Sequence, residues 1–350
     1  MTRRTPRGML AAATATVALF SLAGPATAQS SAPAAGSTAP QGRIFMVNPV
    51  QATGDQALTD GKDADSAVPA TAYALAALRN LDDGGSLHGR WASVRSDTGP
   101  SARTGEAAGY TRHDDRFEQV MAYFWVNEAQ EYLQSLGFGT ELRGANDRVQ
   151  PVRINQWGAD NSFFTDKKDE IRFGKGGVDD AEDAEVIVHE YGHAVHNAQV
   201  PGFGSSPEAG AIGEAFGDYL AVEVGAHADA AYGWPRRADL ACVADWDAAS
   251  YSDAPHCLRR IDGNKVYADL EGEVHADGEI WSRALFDIRN ALGSRTADRI
   301  IVNAQFGFAP DTSFKEAALI TVSTAQRMYG ANAADAVRAA FKARQIPGVQ

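Results

Sequence analysis

Apolar positions follow one rhythm in the first half of the chain and another in the second. From 43 to 94, short runs such as Arg43-Ile44-Phe45-Met46-Val47 are broken by Asp, Gly and Asn clusters. That pattern predicts short strands and turns. Residues 96–108 read as a polar, Gly-rich loop. Phe117, Val120, Met121, Phe124, Ala129, Tyr132, Leu133 and Leu136 then fall at helical spacing, which predicts a long helix over 114–136 that stops at Gly137. Strands return over 153–173, ending in Ile171-Arg172-Phe173, and Gly174, Gly176 and Gly177 form a turn. The rest reads as helices over 181–199, 208–225, 276–292, 295–305, 313–329 and 333–343. Mixed elements followed by helices alone predict an α+β fold with a mixed N-terminal lobe and an α-helical C-terminal lobe. The expected boundaries are 42–200, ending in the helix of residues 181–199, and 201–350. No internal repeat is visible.

The extreme N-terminus follows neither rhythm. Arg3, Arg4 and Arg7 precede an apolar run from Met9 to Ala23, and Ala26-Thr27-Ala28 is a small-x-small cleavage signal. Residues 1–28 therefore read as an export signal cut after Ala28. Residues 29–41, rich in Ser, Ala, Pro and Gly, read as a flexible leader. Export also bears on Cys242 and Cys257, the two cysteines of the chain. In an oxidising compartment they are expected to pair; two free thiols, or a Cys/His ion site, is the alternative.

Composition narrows the partners. The 350 residues are 44% hydrophobic, enough for a sizeable core, and the formal net charge is −13. An acidic surface disfavours nucleic acid and anionic membranes. The expected state is a monomer.

The candidate chemistry lies in His189-Glu190-Tyr191-Gly192-His193. Residues four apart share a helical face, so His189 and His193 can aim ring nitrogens at one zinc ion. Glu190 lies about 100° around the axis, suited to act as a general base rather than a ligand. Glu214 and Asp218 repeat the four-residue spacing downstream, with Gly210, Gly213 and Gly217 permitting close helix packing. Glu214 is the candidate third ligand. Asp218 is the candidate acceptor that fixes the tautomer of a ligand histidine. His196 lies about 10 Å further along the axis than His189 and reads as structural or cleft-lining.

His189-Glu190-Tyr191-Gly192-His193, followed by Gly213-Glu214-Ala215-Phe216-Gly217-Asp218, resembles the gluzincin metallopeptidases. Within them it is most similar to the fungalysin family and its thermolysin-like relatives. Val274-His275-Ala276-Asp277-Gly278-Glu279-Ile280-Trp281 resembles a further fungalysin segment. Asp160-Asn161-Ser162-Phe163-Phe164 resembles the edge strand that binds substrate backbone in thermolysin-like enzymes. Weaker likeness begins near Arg112, and in all the resemblance spans about 110–345. It implies a two-lobed zincin fold with the active-site helix at the base of a cleft. It also implies endopeptidase activity on proteins or peptides with one catalytic zinc, His275 as oxyanion stabiliser, and Asn161, Ser162 and Phe163 along the substrate. Asp269 or Glu271 is expected to orient His275, and a bulky apolar residue is expected after the cut. Calcium is the second candidate ion, with Asp183 and Glu185 as its candidate ligands.

Two departures stand out. The stretch between the expected cut and Gly42 is short for a fungalysin propeptide. No tyrosine lies between Ala194 and Gly213, where thermolysin-like enzymes carry one; Tyr251 or Tyr267 is the expected substitute. The rival readings are a zinc aminopeptidase and a secreted binding protein on a metalloprotease scaffold.

Overall fold

A computed structural model describes residues 39–350. The expected signal at 1–28, and the leader up to residue 38, lie outside the described residues.

The first half is built on one buried helix. Strand β1 (Gln41–Phe45) pairs antiparallel with β2 (Tyr73–Ala77), and a short helix α1 (Pro49–Thr53) lies between them. Strand β3 (Ala92–Ser96) leads into helix α2 (Arg116–Ser135) and then β4 (Gln150–Ile154), which runs parallel to β3. A parallel pair needs such a crossover. α2 is buried on nearly every face, so Phe117, Met121, Phe124 and Trp125 all enter the core. Burying each such side chain contributes about 1.5–3 kcal/mol.

Strands β5 (Ser162–Thr165) and β6 (Glu170–Phe173) complete a four-stranded sheet of order β3-β4-β6-β5. β4 and β6 are parallel, β5 and β6 antiparallel. β5 is thus the outer strand, as the resemblance implies for Asp160–Phe164.

The second half is helical. Helix α3 (Ala184–Gln199) starts at Asp183, whose side chain accepts from the Glu185 amide. Helix α4 (Pro207–Tyr232) starts at Ser206 with Pro207 in its first turn and ends at Gly233, φ 69°. α4 runs seven residues beyond the expected end at Gly225. A lone interior glycine costs only about 1 kcal/mol, and burial of Val222, Val224 and Ala228 outweighs it. A two-stranded ribbon of β7 (Cys242–Val243) and β8 (Arg259–Arg260) follows. Helices α5 (Val274–Leu292), α6 (Ser294–Gln305), α7 (Phe314–Tyr329) and α8 (Ala331–Ala343) close the chain. The architecture is α+β, with a sheet-containing N-terminal lobe and a helical C-terminal part. Among the described residues, no helix is long and apolar enough to cross a membrane.

Candidate metal centre

Three side chains from two helices converge on one point. α3 carries His189 and His193 on one face, and α4 carries Glu214. One ligand atom from each lies within 4.8 Å of the others. His189 Nε2 is 3.2 Å from His193 Nε2 and 3.2 Å from Glu214 Oε2, and His193 Nε2 is 3.5 Å from Glu214 Oε1. The approach of α3 to α4 makes this possible. A Cβ at Gly217 would lie 2.6 Å from His189 Nδ1, and one at Gly192 would lie 2.9 Å from the Gly217 Cα. Neither position admits a side chain.

The residues fit a catalytic zinc. Two imidazoles and one carboxylate are a donor set zinc accepts. His189 Nδ1 pairs with Asp218 Oδ1 at 2.8 Å, leaving Nε2 turned toward His193 and Glu214. Burial opposes charge on His189, yet Asp218 and Glu214 override it and push the ring up to about 10. Burial holds His193 down to about 4. Burial would also raise Glu214, but His193 and His189 hold it well below the usual carboxylate range. Two ring nitrogens and a carboxylate oxygen gathered at one largely buried point are a place for a metal ion.

Glu190 points into the same cleft. It is buried, and its Oε2 has no hydrogen-bond partner among the described residues. Burial pushes its carboxyl up to about 8, with His189 opposing and Glu214 and Asp180 adding.

Arg259, on β8, grips Asp218 through two bonds, Nε to Oδ2 at 2.7 Å and Nη2 to Oδ1 at 2.6 Å. Burial would raise Asp218, but this guanidinium and His189 hold it at about 2. Sequence spacing assigns Arg259 no role, because it lies 70 residues from His189. The disulfide Cys242–Cys257, with Cα atoms 5.5 Å apart, ties the ribbon that carries it.

His275 enters from the first turn of α5. Its Nε2 is 3.4 Å from Glu214 Oε2, and its Nδ1 lies 2.6 Å from Glu273 Oε1. Glu273 also caps α5, accepting from the amides of His275 and Ala276. The expected orienting residues do not fill this place. Asp269 accepts from the Val266 amide instead, and Glu271 donates its own amide to Asp277. A capping residue two positions before the histidine is closer than either, and its place at the helix start was the available signal.

Neither candidate tyrosine offers a free hydroxyl. Tyr267 donates to Glu208 at 2.9 Å. Tyr251 lines the cleft but donates to Asp247 at 2.5 Å. His196 is buried between the Phe203 and Phe216 rings, and burial lowers it to about 3. The calcium candidates are committed to protein donors. Asp183 takes the Glu185 and Asp247 amides, and Glu185 takes Gln51 Nε2 and the Ala244 amide.

The cleft continues on both sides of the ligand cluster. Two cavities of about 620 and 630 Å³ share Asn161, Ser162, His189, Glu190 and His275. Asn161 and Ser162 line both, and Phe163 lines the second, beside the free edge of β5.

Residues 202–346 match the family described as thermolysin metallopeptidase, alpha-helical domain. Over that stretch the chain is similar to the helical domain of the thermolysin metallopeptidases. Glu214, Asp218, Arg259 and His275 lie within the matched stretch, while α3 precedes it. The fold is similar to the solved precursor of protealysin, a metalloproteinase from Serratia proteamaculans. The TM-score is 0.53 at 17% identity, over 74% of this chain and 87% of that one. A comparison with the curated proteins finds no match. The thermolysin-like resemblance read from the motifs agrees with both the family match and the fold.

Proposed function

We propose that the chain is a secreted, zinc-dependent endopeptidase with His189, His193 and Glu214 as ligands and Glu190 as general base. The observation that carries this reading is the convergence of the three ligand atoms within 4.8 Å, with Glu190 buried beside them. When bound, zinc supplies Lewis acidity, lowering the pKa of a water and polarising the scissile carbonyl. Glu190 takes the proton from the attacking water and delivers it to the leaving amine. A carboxyl raised toward neutrality suits both halves of that transfer. Asp218, kept ionised by Arg259, fixes the His189 ring. The unpaired edge of β5 can accept the substrate backbone as an added strand. A cleft open on both sides of the centre favours internal bonds over terminal ones.

The test is cleavage of unfolded casein. Internal fragments are expected, and a zinc chelator is expected to abolish them. Release of single N-terminal residues would instead indicate an aminopeptidase. No cutting by a folded, zinc-loaded chain would indicate a binding protein on this scaffold.

His275, held by Glu273, donates to the oxyanion through Nε2. His275→Ala is expected to lower kcat by roughly 10²–10³, as loss of one oxyanion donor does elsewhere. KM is expected to move little, and a kcat within threefold of the parent would remove His275 from the reaction. Export rests on the N-terminal segment. N-terminal sequencing of the chain recovered from culture medium is expected to begin at Gln29, and a retained Met1 would reject cleavage there.

A further inference from the structure

A second group of carboxylates lines the same cleft. Ligand atoms of Asp160, Asp180 and Asp247 lie within 4.8 Å of one another. Asp180 and Asp247 are buried, at 2% and 6% exposure. Ser162 Oγ donates to Asp180 Oδ2 and Tyr251 to Asp247, but Asp180 Oδ1, itself buried, has no partner among the described residues. Among the described residues, no Lys, Arg or His side chain pairs with any of the three within 4.0 Å. The cations in this cavity are otherwise engaged, Arg259 with Asp218 and Lys265 with Glu279, each at 2.6 Å. Burial raises Asp180 to about 7, with Ser162 opposing and Asp160 adding. Buried carboxylates without a counter-ion call for a cation from outside.

The rest of the wall says which cation. Val186, Val243 and Leu258 line the same cavity of about 620 Å³. An apolar wall with acids at one point suits a long methylene stem with a charged head. A bare metal ion has no use for that wall.

The edge strand gives the direction. Asp160, just before β5, lines the acidic cavity alone, Asn161 and Ser162 line both, and Phe163, Phe164 and Asp166 line the other. A peptide added antiparallel to β5 passes the end of that strand first. Its residues beyond the scissile bond then enter the acidic cavity.

We infer that Asp160, Asp180 and Asp247 form a cation pocket that selects lysine or arginine immediately after the scissile bond. The direction along the substrate rests on the peptidase reading; the pocket's chemistry does not. It replaces the bulky apolar preference that the family resemblance implies.

Two measurements keep the two readings apart. In the first, the zinc-loaded chain digests unfolded casein and the new N-termini are identified by mass spectrometry. Lysine and arginine are expected at least fivefold above their share of casein, and Asp180→Asn is expected to erase most of that enrichment. Apolar residues leading the new fragments, or enrichment untouched by Asp180→Asn, overturns the inference. In the second, the dipeptides Lys-Ala and Leu-Ala are titrated calorimetrically into the Glu190→Gln chain. At least a tenfold preference for Lys-Ala is expected, and equal affinity overturns the pocket. A Lys-Ala preference without any casein cutting by the parent upholds the pocket and defeats the peptidase reading. Calcium held tightly by the parent and released by Asp180→Asn, with no Lys-Ala preference, assigns the cluster to a metal and overturns the inference.

Discussion

Glu190→Gln is expected to slow casein cleavage by about 10²–10⁴-fold, the range that general acid–base groups contribute, with zinc content unchanged. The amide keeps the shape of the side chain and its place on α3. It cannot take a proton from water. Glu190 is not among the three converging ligand atoms, so the ion site is left intact. Because the carboxyl is buried and stands at about 8, the neutral amide also carries no new burial cost. Loss of activity together with loss of zinc would point to a ligand role instead. A variant retaining more than a tenth of the parent rate would sink Glu190 as the base.

Arg112→Met is expected to destabilise the fold by about 3–5 kcal/mol, the cost of breaking one side of a buried ion pair. Arg112 has no exposed side-chain surface. It pairs with Glu182 at 2.8 Å and with Asp60 at 2.7 Å, and Glu182 is itself fully buried. Trp246 Nε1 also reaches Glu182 at 3.3 Å. Methionine fills much of the volume but leaves the Glu182 carboxyl without its cation. The melting temperature is expected to fall by on the order of 10 °C. Glu182→Gln in the same chain is expected to recover part of the loss, because it removes the stranded charge. A single-variant loss below about 1 kcal/mol, measured by urea unfolding, would show that the pair is dispensable. Glu182 closes the short turn that leads into α3, so this pair also braces the approach to that helix.

The helices were the legible part of this chain. α2, α3, α5, α6, α7 and α8 each carry an apolar stripe at helical spacing, and their ends agree with the expected ones to within three residues. Spacing along one helix is local, and so the relation of His189 to His193 could be read directly. Strand pairing was not legible, because the parallel partners β3 and β4 are separated by α2 and its loops. Arg259 escaped for the same reason. Its ribbon reaches Asp218 only through the tertiary fold, and no periodicity marks it. The orienting carboxylate beside His275 was assigned to the wrong neighbours, Asp269 or Glu271. Alternation in sequence cannot tell which acid a helix start turns back on itself. The acidic cluster is divided among three segments, at Asp160, Asp180 and Asp247, that no local spacing connects.

The contact between Gly192 and Gly217 bears on what sets the dimensions of the centre. The two ligand-bearing helices meet backbone to backbone, with no side chain to act as a compressible spacer. The crossing therefore works as a fixed gauge block. It sets the gap between the imidazoles and Glu214 by van der Waals contact of main-chain atoms, which yield far less than rotamers do. The separation of the two helix axes at the centre is thus fixed by main-chain packing. Its tolerance is written into two hydrogen atoms standing where every other residue type would place a carbon.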